Sequence, residues 1–80
     1  MKRDVRLRVH AEKGAGIDLE PCEKGFRVEA VEDFPGQDLT VGDVIVEVNG
    51  TQLGGLSDEA MEEAFGSQFA EGARLIVTRA

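Results

Sequence analysis

Gly42-Asp43-Val44-Ile45-Val46-Glu47-Val48-Asn49-Gly50 is the stretch that decides how this 80-residue chain folds. Val and Ile are β-branched and fit a pleated, half-buried surface, so 44–48 reads as a strand. Asn49-Gly50 accepts the positive φ angles that a tight hairpin turn demands, and Thr51-Gln52-Leu53 supplies the short return. Just upstream, Leu39 and Val41 are expected to dip into the core.

Working outward, the N-terminal half alternates with a period of two. Val5, Leu7 and Val9 interleave with Arg6, Arg8 and His10, a half-buried strand with one wet face. Lys13-Gly14-Ala15-Gly16 interrupts it with small, permissive residues, and Ile17-Asp18-Leu19-Glu20 resumes the alternation. Pro21 is expected to stop that second strand, because proline donates nothing to a ladder. Cys22-Glu23-Lys24-Gly25 reads as a turn and 26–31 as a third strand. Phe34-Pro35-Gly36-Gln37 reads as a loop from its Pro-Gly pair.

Beyond the hairpin, Gly54-Gly55 is a joint, and from Ser57 the period becomes helical. Ala60, Met61, Ala64 and Phe65 share one face, while Asp58, Glu59, Glu62 and Glu63 lie largely opposite. Ser57 or Asp58 can cap this helix, whose first-turn acids complement its dipole. Its end is open in the sequence. Gly66 stops it, or it runs on so that Phe65 and Phe69 stack at i,i+4. Arg74-Leu75-Ile76-Val77-Thr78 is the closing strand.

Eighty residues, 41% hydrophobic and 31% charged, make one small domain, 1–80, with an aliphatic core. Its stability margin is thin, roughly 3–5 kcal/mol for chains this short. No apolar run is long enough to cross a membrane, so no membrane insertion is expected. The single Cys22 allows no internal disulfide and no Cys-based zinc site, and the acidic clusters lack the spacing of a calcium loop. Neither metal nor other cofactor is expected, and a reducing, cytoplasmic setting suits the lone thiol. Net charge is −7. Residues 1–13 nevertheless hold five basic and two acidic residues, against four basic and fourteen acidic in the rest. An acidic bulk repels phosphate and no aromatic platform interleaves the basic segment, which argues against nucleic acid. Cys22 and His10 could be paired as nucleophile and base, but no oxyanion donor or orienting group accompanies them, so no enzyme is expected.

Gly14-Ala15-Gly16-Ile17 carries a second kind of chemistry. Glycines let consecutive backbone N–H groups point into one concavity, and such a nest holds an anion without a cationic side chain. The same tetrapeptide also serves as an ordinary hairpin loop. No Lys-Ser/Thr follows it, so it does not match a phosphate loop. Together with GDVIVEVNG, the amphipathic run Leu56-Ser57-Asp58-Glu59-Ala60-Met61-Glu62-Glu63-Ala64-Phe65-Gly66 and the lead-in Leu39-Thr40-Val41-Gly42-Asp43, it resembles the PDZ domain family. The four pieces fall in the family's order and span most of residues 5–78.

The resemblance implies a mixed α/β, mainly β fold: a small, partly open barrel of five or six strands with one substantial helix, the family's first helix being reduced in this chain to the Pro-Gly loop. It implies an interaction module that captures the C-terminal residues of a partner protein by β-augmentation. Ala15, Gly16 and Ile17 would supply N–H groups to the carboxylate, with Gly14 permitting the turn. Ile17 and Leu19 would point into the groove, and Ser57, Met61 and Ala64 would form the facing helix wall. His10 and Lys13 are both candidates for the basic residue that usually precedes the loop. The chain departs from the family at Ala15, where a bulky apolar residue is usual, and at Ser57, where many members carry His. A monomer is expected. The alternatives are a regulatory or substrate-delivery PDZ domain of a larger protease or signalling protein, and a structural or self-associating domain with no free-peptide ligand.

Overall fold

The computed structural model describes residues 2–12, 14–33 and 36–79. Lys13, Phe34 and Pro35 lie outside them, and with them one candidate for support of the Gly loop and the centre of the expected Pro-Gly loop. Six strands and one helix follow in the order β1 (Lys2–Arg6), β2 (Ile17–Cys22), β3 (Gly25–Val31), β4 (Asp43–Val48), β5 (Thr51–Gln52), α1 (Asp58–Ser67) and β6 (Arg74–Arg79). All pairings are antiparallel, and the sheet order is β1-β6-β4-β3-β2, with β5 also on β4. β1 and β2 are therefore the two ends of the main strand order, and no pairing among the described residues joins them. This is the mainly β architecture with one substantial helix that was expected, with six strands where five or six were expected.

The deciding stretch behaves as read. Asn49 and Gly50 take φ 48° and 86°, the two positive values of a type I′ hairpin, and Val48 pairs with Thr51. Val44, Ile45 and Val48 are buried, and Asp43 opens the strand as the one buried charged residue of the described chain. Its carboxylate accepts from the Thr40 N–H at 3.0 Å and hydroxyl at 3.1 Å, and pairs with the Arg3 guanidinium of β1. That satisfies the charge inside the sheet and ties β1 to the start of β4.

Local details correct three expectations. Val41 does not dip into the core with Leu39; it is 64% exposed. The Asp43 N–H bonds the Thr40 carbonyl at 3.1 Å with Gly42 at φ 98°, so Val41 sits at the outer corner of a turn. The first strand ends at Arg6 rather than running to His10, yet Leu7 stays buried and exchanges backbone bonds with Gly72 and Ala73. Pro21 does not stop β2: it pairs with Phe26 inside the strand. Edge strands tolerate proline when its nitrogen faces outward.

One core joins sheet and helix. Leu7, Val28, Ile45, Val48, Leu53, Leu75 and Val77 are fully buried, together with Met61 of α1. The helix ends at Ser67, one residue past Gly66, and Phe65 and Phe69 still meet edge-on at 5.8 Å between centroids. Gly25 marks the tightest approach. A Cβ there would lie 2.0 Å from the Ile45 carbonyl oxygen, so β3 can cross β4 at that point only as glycine.

Candidate functional site

Residues 14–17 form a backbone feature rather than a cluster of side chains. Gly14 and Gly16 take φ 70° and 65° on either side of Ala15, whose φ is negative. This alternation in the sign of φ is what an anion nest requires of its backbone. The carbonyls of the same loop are all occupied. His10 N–H donates to the Gly14 oxygen at 2.9 Å, Gln37 Nε2 to the Ala15 oxygen at 2.8 Å, and Glu32 N–H to the Gly16 oxygen at 2.7 Å. In a planar trans peptide unit the N–H points opposite the carbonyl. Each of these three carbonyls is held by a donor, so the N–H across the same peptide unit, at Ala15, Gly16 and Ile17, points away from that donor. Nothing among the described residues accepts from the N–H of Ala15 or Gly16. Gly14 N–H is spent on the His10 carbonyl at 3.0 Å, so its part is to shape the turn.

The loop feeds directly into β2, the open edge. Proline has no N–H, so the Pro21–Phe26 pair must be a non-hydrogen-bonded one, with the Pro21 nitrogen facing away from β3. By the two-residue period Leu19 also turns its N–H and carbonyl outward. At Ile17 the bond from Glu32 to Gly16 fixes the same sense. The outward row thus reads Ile17, Leu19, Pro21: donor, donor, and no donor.

Helix α1 lies beside this edge. Ile17, Leu19 and Ala64 are half-buried and pack against the core cluster. Ser57 is exposed and caps the helix, its Oγ accepting from the Ala60 N–H at 3.2 Å. Met61 is not an open wall of the groove: at 1% exposed it lies beneath, in the core, as does Phe65, whose ring is tilted against Phe26 at 5.4 Å between centroids. Ala15 is likewise buried, and a larger side chain there would have to share that space.

Charge around the edge is mostly negative. Asp58, Glu59, Glu62 and Glu63 are exposed on α1, and Asp18 and Glu20 on the outer face of β2. Arg27 of β3 is held above its ordinary pKa, first by its hydrogen bond to Glu29 at 2.8 Å and then by the charge of that carboxylate. Cys22 and His10 do not form a pair. His10 bonds the loop at Gly14, whereas Cys22 lies at the far end of β2, about 17 Å beyond Ile17 at roughly 3.3 Å per residue.

Gln37 is the site residue that sequence reading missed. It stands in a loop by composition, and nothing local signals that its amide reaches both Arg8 and Ala15. Among the described residues no helix is long and apolar enough to cross a membrane.

A scan against family models found no match, and neither did a comparison with curated proteins. Solved structures do match. The 5th PDZ domain of InaD in 10 mM DTT is 30% identical with TM-score 0.79, over 100% of this chain and 98% of that one. The dmPar3 PDZ1 domain in complex with the dmPar6 PBM shares the fold at TM-score 0.81 and 24% identity, over 98% and 94% of the two chains. INAD PDZ45 in complex with NG2 peptide is 31% identical with TM-score 0.75, over 99% of this chain and 41% of that one. Identity of 30% to a PDZ domain over the whole length of this chain, the shared fold, and a Gly loop opening onto an edge strand beside a helix agree: the chain belongs to the PDZ domain family.

Proposed function

We propose that this domain captures the extreme C-terminus of a partner protein, adding it as a strand to the β2 edge. The observation that supports the reading is the loop at 14–17, where three successive carbonyls are each held by a donor and the N–H groups of Ala15 and Gly16 bond no described residue. A terminal carboxylate satisfies those donors, and charge-assisted bonds of this kind contribute roughly 1.5–3 kcal/mol each before desolvation. Ile17 and Leu19 then continue the contact as a short ladder, with Ala64 of α1 opposite and Met61 beneath. Related domains whose structures hold a PBM or a peptide lend support. Few residues are buried in such a contact, so affinity is expected to be micromolar, near −8 kcal/mol by order of magnitude.

Specificity follows from the same residues. Ser57 spends its oxygen on the helix cap, so a strict demand for Ser or Thr two residues before the ligand's end is not expected. The acids of α1 favour Lys or Arg further upstream, through an attraction that weakens with salt. The domain acts as a monomer, without cofactor or catalysis, in a reducing cytoplasmic setting.

The test is a peptide selected from a free-C-terminus library, compared as acid and as amide by calorimetry or fluorescence polarisation. Amidation is expected to weaken binding at least tenfold, about 1.4 kcal/mol. Equal affinity for the two would overturn the carboxylate reading.

A further inference from the structure

The carboxylate loop is steered by a side chain 22 residues away in sequence, Gln37, which donates to the Ala15 oxygen at 2.8 Å. Its amide orientation is unambiguous. Oε1 accepts from the Arg8 N–H at 2.9 Å, while Nε2 donates both to the Arg8 carbonyl and to the Ala15 carbonyl. Flipping the amide would set a donor against the Arg8 N–H and an acceptor against two carbonyls. The Arg8 backbone therefore clamps the amide as a template, and the second N–H of Nε2 is left for Ala15 alone.

The consequence lies on the far side of one peptide unit. Ala15 carbonyl and Gly16 N–H belong to the same planar trans group, so holding the oxygen sets the direction of the hydrogen. The neighbouring carbonyls, of Gly14 and Gly16, are held by backbone N–H groups of His10 and Glu32. Backbone partners come with the fold; the central one is supplied by a replaceable side chain. Gly16, a glycine at φ 65°, also has no Cβ to resist rotation of that peptide unit.

We propose that Gln37 is a positioning residue for the carboxylate site: it does not touch the ligand but fixes the Gly16 N–H that does. This rests on the carboxylate reading above. Without the donor, the 15–16 peptide is free to rotate and its N–H leaves the nest. The loss then falls on recognition of the terminal charge, not on the strand contacts made by Ile17 and Leu19.

The test compares wild type, Gln37→Met and Gln37→Glu against one octapeptide selected from a free-C-terminus library, as acid and as amide. Methionine keeps the length and loses every hydrogen bond; glutamate keeps the acceptor for Arg8 and loses the donor for Ala15. Both variants are expected to cut the acid-to-amide ratio from tenfold or more to under threefold, with amide affinity unchanged within twofold. The Gly16 amide resonance is expected to move in the ligand-free Gln37→Met spectrum. A ratio kept in Gln37→Met overturns the positioning role alone, and so does an equal loss for acid and amide. A wild type that binds acid and amide equally overturns the carboxylate reading and this one with it.

Discussion

The two edges of the sheet face the same problem and meet it differently. On the β1 side the strand is lined with Lys2, Arg3, Asp4 and Arg6, and only Val5 is buried. Charges of this kind keep another strand from pairing there. Where β1 runs out, side chains consume the backbone: Gln37 takes the Arg8 N–H, and the Glu71 carboxylate takes the Val9 N–H at 2.5 Å. On the β2 side the preceding loop has its carbonyls consumed and its N–H groups left over, and half-buried Ile17 and Leu19 face a helix. One edge is sealed and the other keeps N–H donors to spare. The same glutamine does both, accepting from the backbone just past β1 and donating to the loop that leads into β2. Polarity, not the mere presence of an edge, separates a site from a boundary.

The harshest way to break the comparison is Gly25→Ala. The added methyl would stand 2.0 Å from a backbone oxygen that cannot swing aside. It is expected to remove more than about 3 kcal/mol, nearly the whole margin of so small a domain. Thermal unfolding by circular dichroism checks this, and a melting point within a few degrees of wild type would contradict it. With β3 displaced from β4, the β2 edge loses its support.

Asp43→Ala strikes the sealed side instead. It removes the acceptor for Arg3 and for both Thr40 donors, and is expected to cost about 2–3 kcal/mol in urea titration. Peptide affinity of the folded variant should stay within twofold of wild type. A larger loss would mean that the two edges are coupled.

The mildest change sharpens the picture of the open side. Pro21 leaves the third outward position of β2 without a donor, so the ladder ends there. Pro21→Ala restores one N–H opposite the ligand residue four before the end. Lengthening a peptide from four to six residues with alanine is expected to gain less than twofold with wild type. With the variant it should gain roughly three- to tenfold, or 0.5–1.5 kcal/mol for one net hydrogen bond. Equal gains for both proteins would place the ligand strand in another register.

Much of this was legible from neighbouring residues. The 42–50 strand and hairpin depend on β-branched residues and on an Asn-Gly turn, both local, and the helix declares its apolar face by period. Other features were not. Val41 looks like a core residue until the turn at Thr40–Asp43 puts it at a corner. Pro21 reads as a terminator unless β2 is known to be an edge. The helical period set Met61 on the apolar face, but the side of α1 that meets the groove and the side that meets the core are adjacent. Only packing separates them.

By itself the sequence determined the element order, the hairpin turn, the helix with its Ser57 cap, and a Gly loop able to form a nest, because each rests on φ preference or periodicity within a few residues. Tertiary structure alone decided which strands became edges, which carbonyls of the loop were taken, and that Gln37 would hold Ala15. Those outcomes join residues 22 and 29 positions apart. Their hydrogen bonds are directional and exist only once the sheet has brought the partners within 3 Å.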